Sequence, residues 1–425
     1  MKSISLLFLA VPLLLLPVKA QQPNSEAHLR ALLQAKTGAV TLPSGTIEIS
    51  REIVLPPDAH DLDIKGSNTI LKASSAFRGR SLLSLPAGKN IKIHDLMLDG
   101  NRAAFPQRVP APQASAMLAR VIANNGIVAE NVAGLEIFRL DAKEFAGFPI
   151  LIAGGSRARI HDVRLTDSGS LDVAGHNNGT GGLAIEEGAS DFEVSNALFG
   201  KVRGNGIWIR STGVTVSKGS ITANEFEVLA RSAIEMNHTA DVTISGNTGH
   251  MIGFPGEEVL IAGTMVPAAI AATGSVDRAT IRGNTFDEIA GRCMSFDGIT
   301  NSEIATNVCG DGLFNAMLIR GSANRITDNR FTGMNTARRD QPEWLRTGIY
   351  LAGGASGNTV TGNEIRGYGM AQHCVDGPQG VVAANTVKNN ACVDASSIAR
   401  LFVGRPFGPA AGLLPGAGYA RNRIY

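Results

Sequence analysis

Charge is scarce in this chain. Asp, Glu, Lys and Arg make up 18% of the 425 residues, and 39 basic side chains nearly cancel 37 acidic ones to leave a net +2. A protein dedicated to nucleic acid carries a large basic excess, so that class is excluded, whereas a local groove for an anionic ligand is not. Aromatic residues are only 5% of the chain, with two Trp and four Tyr. The four Cys, at 293, 309, 374 and 392, form no CxxC pair and suit no zinc site. After residue 20 there is no apolar run of about 18 residues, so no membrane-spanning helix is expected. What is abundant is glycine, 49 residues, beside 44% hydrophobic residues. That balance suits many short strands separated by turns around a sizeable core.

The first twenty residues read as a leader. MKS supplies a short basic start, ISLLFLAVPLLLLPV an apolar run, and VKA the small residues a signal peptidase reads, with cleavage expected before Gln21. No Cys follows, so a lipid anchor is not expected. The mature protein should be secreted or periplasmic, where disulfides are permitted. Cys374 and Cys392 are the best pair, since they sit in the similar phrases HCVDG and ACVDA.

A period runs along the rest. ISGNTG from Ile244, IRGNTF from Ile281, IATNVC from Ile304, ITDNRF from Ile326, VTGNEI from Val360 and VAANTV from Val382 share one shape, at spacings of 37, 23, 22, 34 and 22 residues. Without the Asn, the frame extends back through Val216, Val194, Ile160, Ile137 and Ile93. A fixed period with insertions marks a solenoid. Units of about 22 residues with β-rich runs and Gly/Asn/Asp/Ser turns, and without the LxxLxLxxN frame, indicate a parallel β-helix rung. The expected fold is all-β, a single parallel β-helix of about a dozen rungs over residues 21–402. Residues 25–36 are its amphipathic cap, and 403–425 are a Gly/Pro-rich tail.

The recurring Asn then has a structural task. Asn247, Asn284, Asn307, Asn329, Asn363 and Asn385 should sit at tight left-handed turns and bond across rungs as a ladder. Phe286, Phe331, Ile365 and Val387, two places later, should point inward. About ten residues before each frame residue lies a second strand, such as IWI at 207 or IEM at 234, whose middle residue faces out.

A capping helix, the LPSGTIEIS phrase and 22-residue rungs with an Asn turn resemble the right-handed parallel β-helix proteins of the pectate-lyase superfamily, over roughly residues 25–400. The resemblance implies that fold. It leaves open polysaccharide lyases, polygalacturonase-like hydrolases, alginate epimerases, copper-loading periplasmic proteins and non-catalytic adhesins. The Asn-Thr-Asp, Asp-Asp, Gly-His-Gly, Arg-Ile-Lys and Asp-Pro-His phrases of its subfamilies are absent. IWIRS is similar to the Trp-Ile-Asp-His strand of pectate lyases, but Arg210 and Ser211 replace the Asp and His. The copper reading ranks low because His and Met show no cluster.

Insertions near 166–180, 253–268 and 333–346 should wall a groove beside the outward-facing strand. Along it, Arg231, Glu235, His238 and Arg292 are the expected catalytic residues. Trp208, Arg210, Asp297, Arg346 and Tyr350 are the expected substrate contacts. Arg pairs with uronate carboxylates, aromatic rings stack on sugar faces, and carboxylates could hold Ca²⁺, although no ligand set stands out. Glu257 and Glu258 are further acids, and His250 is a weaker candidate than His238. The expected function is that of an exported, monomeric carbohydrate-active protein acting on an acidic polysaccharide by β-elimination. The alternatives are a non-catalytic glycan-binding or scaffold β-helix, and a hydrolase or uronate epimerase.

Overall fold

The computed structural model describes residues 25–254, 267–312, 314–333, 347–367 and 374–393, with the side chains of 392 and 393 excepted. The expected leader and tail lie outside these residues. The strands join into one parallel sheet that coils on itself, each strand bonding to its equivalents one rung before and one rung after. Three faces result. Face A stacks Ile53, Leu83, Ile127, Ile150, Leu183, Ile207, Ile234, Ile270, Met294, Met317, Ile349 and Val375, one from each of twelve rungs. Face B stacks the frame residues, and face C follows the recurring Asn.

Alternation along each short strand decides what is buried. On face B, Ile160, Val194, Ile221, Ile244, Ile281, Ile304, Ile326 and Val360 form an inward aliphatic column with no solvent exposure. Face C stacks Phe199, Phe226, Gly249, Phe286, Cys309, Phe331 and Ile365. Phe199 and Phe226 lie nearly parallel with ring centres 5.0 Å apart. Gly249 interrupts the column for a steric reason: a Cβ there would stand 2.5 Å from the Phe286 ring. Burying each such side chain contributes about 1.5–3 kcal/mol, repeated at every rung. Cys293 and Cys309 form a disulfide inside the coil, Cα atoms 6.0 Å apart, joining face A to face C. Closing that short loop constrains the unfolded chain by about 3 kcal/mol. Cys374 is also disulfide-bonded; the side chain of its expected partner, Cys392, lies outside the described residues.

The corners carry the polar chemistry. Asn247 donates from its backbone N–H and its amide to the Asn284 side-chain oxygen, at 3.0 and 2.8 Å, and also to the Ile221 carbonyl. The same three bonds recur from Asn224 through Asn284, Asn307, Asn329 and Asn363, the column ending on Asn390. Asn385, expected in this column, stands in a second one, which runs Ser302, Asn324, Asn358, Asn385. The two columns bracket face B, one two residues before each frame residue and one three residues after it. Consequently Val387 is the frame residue of the last described rung, and Val382 lies in a short helix, Gln379–Ala383. Val216 is likewise out of frame: Ile221 pairs with Ile244, while Val216 pairs with Thr239. The left-handed turn also falls elsewhere than expected. Ala223, Gly246, Gly283, Thr306, Asp328, Gly362 and Asn389, each just before a ladder Asn, have positive φ, and the ladder Asn residues do not. Their amides serve hydrogen bonding rather than turn geometry.

The first rung is closed by α1 (Glu26–Leu32), which Ser25 caps by accepting from the His28 N–H at 3.2 Å. Leu29 and Leu33 are buried against the core, and the Glu26 carboxylate accepts from the Ser50 N–H and hydroxyl, covering the open strand edge.

The ladder sets a testable expectation. Replacing Asn307 by Ala leaves two buried donors of Asn284 without their acceptor, at about 1–3 kcal/mol each. Urea unfolding followed by circular dichroism should show a loss of about 3 kcal/mol for Asn307→Ala and a smaller one for the half-buried Asn385→Ala. Equal, negligible losses would remove the ladder from the account of stability.

Candidate functional site

The outward-pointing residues of face A read, rung by rung, Ser84, Val128, Leu151, Ala184, Trp208, Glu235, Ala271, Ser295, Leu318, Tyr350 and Asp376. From Val128 to Ala184 the series is apolar because it is covered. An arm at 100–124, absent from the sequence reading, folds over it and lays α2 (Leu118–Val121) on Val128, Leu151 and Ala184, all fully buried. Glu186, also fully buried, holds the arm down, one carboxylate oxygen accepting from the Leu118 N–H and the other from Ala119, each at 2.8 Å. Burial pushes its carboxyl above the ordinary value, against those two donors and Arg210, which favour the charged form.

Where the arm stops, the face opens. Trp208 is half-buried at that boundary, packed against Phe148 and the arm's apolar cluster. On the next rung Glu235 points the same way, 4% exposed, with a dense set of partners. The Asn205 amide donates to its Oε2 at 3.0 Å, the Arg231 guanidinium stands 3.6 Å from the same oxygen, and Oε1 has the longer 3.4 Å bond from Thr273. Arg231 occupies the corner leading into this strand and keeps a quarter of its side chain exposed. The insertion at 166–180, with the residues just after it, closes in from the side. Gly179, at φ +81°, approaches so closely that a Cβ would lie 3.2 Å from both the Arg231 guanidinium and the Trp208 ring. Its carbonyl accepts from the Asn205 N–H. An anion-pairing Arg, a buried carboxylate and an indole face therefore meet at the edge of an open strand face.

The remaining candidates divide. Arg210 is buried, its guanidinium over the Trp208 ring at 5.2 Å and donating to the Ala114 carbonyl, so its charge fastens the arm instead of facing the groove. Arg292 lies in the corner two rungs beyond Arg231, nearly enclosed, with Nε donating to the Asn315 amide oxygen at 2.7 Å. Burial lowers its guanidinium to about 10. That bond runs to the rung beyond, away from Glu235. His238 is exposed at a left-handed corner, φ 51°, after the strand has ended. Asp297 pairs with Arg320 at 3.0 Å on an exposed edge. Tyr350, between Leu318 and Asp376, is four rungs from Glu235, roughly 19 Å along the axis. His250 bonds Asp287 on the outside of face C. Arg346, Glu257 and Glu258 lie outside the described residues. Among the described residues no three His, Cys, Asp or Glu side chains are grouped to hold a metal ion, so the possible Ca²⁺ has no ligand set here.

Asn205, Thr273 and Gly179 were not singled out from sequence. Asn205 has a signal, standing two residues before face A as Asn125 does. The arm hid itself by arithmetic: the gap between Ile93 and Ile137 is 44 residues, twice the period, so an insertion passes for a rung.

The family model described as "Right handed beta helix region" matches residues 268–403. A search of curated proteins gave no match. Solved structures with the same fold include the mannuronan C-5 epimerase A-module of Azotobacter vinelandii, 16% identical with a TM-score of 0.60, covering 85% of this chain and 95% of that one. A surface adhesin of Streptococcus pneumoniae aligns at 13% identity and TM-score 0.59, over 81% and 88% of the two chains. The DFA-IIIase of Arthrobacter chlorophenolicus A6, in complex with GF2, aligns at 13% and 0.56, over 87% and 96%. At these identities the likeness is one of fold. Among the described residues no helix is long and apolar enough to cross a membrane.

The raised Glu186 carboxyl gives a pH test. An acid whose folded pKa is raised binds its proton more tightly when native, so ionisation costs stability as pH climbs from about 4 through the folded value. The thermal midpoint of the wild type, relative to Glu186→Gln, should rise as pH is lowered from neutral through the folded value to about 4. Parallel shifts in the two proteins would contradict a raised carboxyl.

Proposed function

We propose that this right-handed parallel β-helix protein is exported and acts on an acidic polysaccharide laid along the open part of face A, with β-elimination as the reaction. The meeting of Arg231, Glu235 and Trp208 carries the reading. A uronate carboxylate on Arg231 forms a charge-assisted pair, which withdraws charge and acidifies the adjacent C–H. Glu235 takes that proton: its Oε1 is held only by the long Thr273 bond, while Asn205 and Arg231 steady Oε2. The electron pair of that C–H then forms a double bond to the neighbouring ring carbon as the bond from that carbon to the glycosidic oxygen breaks, and the departing oxygen takes a proton from solvent. Trp208 offers an indole face to a neighbouring sugar. His238, expected to be catalytic, and Tyr350, expected to contact substrate, lie away from this cluster.

Neutralising the carboxylate and removing the adjacent proton is also the first half of C5 epimerisation. The two reactions part when either the leaving group departs or a proton returns to the opposite face. A non-catalytic, glycan-binding reading has one observation in its favour: Glu235 is almost fully enclosed, as a structural carboxylate would be.

The experiment is a screen of pectate, alginate and glycosaminoglycans, with and without Ca²⁺. Ultraviolet absorbance reports unsaturated product and NMR reports changed uronate configuration. Elimination is expected, falling about 10²–10⁴-fold in Glu235→Gln with binding kept. Arg231→Ala should weaken binding by about 1.5–3 kcal/mol. Inverted uronates without new absorbance would assign epimerisation. Binding without either product would assign the non-catalytic role, and no binding at all would sink the polysaccharide reading.

A further inference from the structure

Arg292 is a charge that the fold buries and leaves unpaired. Its side chain is 7% exposed, and burial lowers the guanidinium only to about 10, so it is a cation at neutral pH. A buried Arg is normally held by a carboxylate, because an unpaired charge inside a protein is costly. No Asp or Glu among the described residues pairs with Arg292. Its one hydrogen bond runs from Nε to the neutral amide oxygen of Asn315, at 2.7 Å. Nη1 and Nη2 have no hydrogen-bond partner among the described residues, and neither is a sealed orphan of the kind that Asn178 Oδ1 and Asn237 Oδ1 are. Arg210, the other buried Arg among the described residues, has the Glu186 charge beside it.

Its place in the rung decides where that charge lies. Arg292 stands two residues before the inward Met294, as Asn205 stands before Ile207 and Ser232 before Ile234. From that position the Asn205 amide reaches Glu235, on the outward side of face A. The same position brings Arg292 to the same edge of the face, two rungs beyond Arg231 and roughly 9–10 Å along the axis. The outward residues of its own rung and of the rung before, Ser295 and Ala271, are small, so the floor beside it is low between Glu235 and Leu318. Arg231 already shares its charge with Glu235, whereas the charge of Arg292 is uncommitted.

We propose that Arg292 is a second carboxylate subsite of the groove, taking the acid group of a sugar two rungs along the axis from the one on Arg231. With Nε fixed by Asn315, the outer edge of the guanidinium, Nη1 and Nη2, presents two donors to one carboxylate. The buried cation gains its counter-charge only from the ligand, so a glycan that is neutral at this point is selected against. The substrate is then a chain with acid groups on at least two of its sugars, not one with a single acidic unit. That the acid belongs to a glycan rests on the groove reading above; the anion site at Arg292 does not.

The probes are the tetrasaccharides of galacturonate, mannuronate and guluronate, each as the free acid and as the methyl ester, titrated calorimetrically into the full chain. At least one free acid should bind, weakened roughly tenfold or more by Arg292→Gln, while the weaker binding of its ester stays unchanged in that variant. The Gln amide keeps a donor for Asn315, and thermal midpoints identify a variant that has lost its fold. Arg292→Lys, with the charge but not the fork, should show the same selective loss in smaller measure, and either variant alone suffices. If Arg231→Ala weakens the free acid and Arg292→Gln does not, the proposal falls and the groove reading stands. Acid and ester weakened alike also overturn it, since Arg292 then serves only the shape of the corner. Should no tetrasaccharide bind, the rise of the thermal midpoint in sulfate over chloride, at equal ionic strength, decides. A larger rise in the wild type than in Arg292→Gln keeps the anion site and sinks the groove reading; equal rises overturn both.

Discussion

Every rung of this coil must turn its corners without leaving buried amide groups unpaired. Water cannot reach the inside of a corner, so the partner must come from the chain. Here it comes from the neighbouring rung, through a side-chain amide whose oxygen accepts twice and whose nitrogen donates twice. From Asn224 onward this requirement couples each rung to the next in addition to the strand pairing. It also fixes register: a slip of one residue would bring an outward side chain into the aliphatic column and break two amide columns at once.

The rigidity that follows makes a flat, outward-facing strand surface available for function. Its use is divided by the arm at 100–124. Where the arm lies, outward residues are apolar and buried; where it ends, they become an indole and a carboxylate. Glu186 and Arg210 illustrate the same division. Both are charged residues on face A, yet both face the arm, and their charges serve backbone groups of the arm. Arg231 and Glu235, one rung further, are the pair that faces the open side. A difference of one rung separates charged residues that hold the cover from charged residues beside the uncovered strand face.

Much of this was legible in the sequence. Ile244, Ile281, Ile304, Ile326 and Val360 are inward frame residues at the positions the period assigns. The second amide column was also legible, since NRITDN, NTVTGN and NTVKNN each carry an Asn two before and three after the frame residue. Reading only one Asn per rung misplaced Asn385 and Val382. Val216 was misplaced because a 22-residue gap from Val194 matched the period by chance, while the true frame residue, Ile221, is followed by its ladder Asn224. The candidate site was less legible. Arg210, Arg292 and Asp297 have the right residue types on or beside the right strand, but their partners come from other rungs or from the arm, and period alone does not name those partners.

By itself the sequence determined the repeat, the inward columns and the strand that faces outward, because these depend on alternation and on short-range spacing. Which outward residues are free was decided only by the tertiary structure. That depends on where an aperiodic arm folds back over the coil, and the contacts that hold it, from Glu186 to Leu118 and from Arg210 to Ala114, span 68 and 96 residues. No local pattern encodes contacts at that separation; they form only once the rungs are stacked.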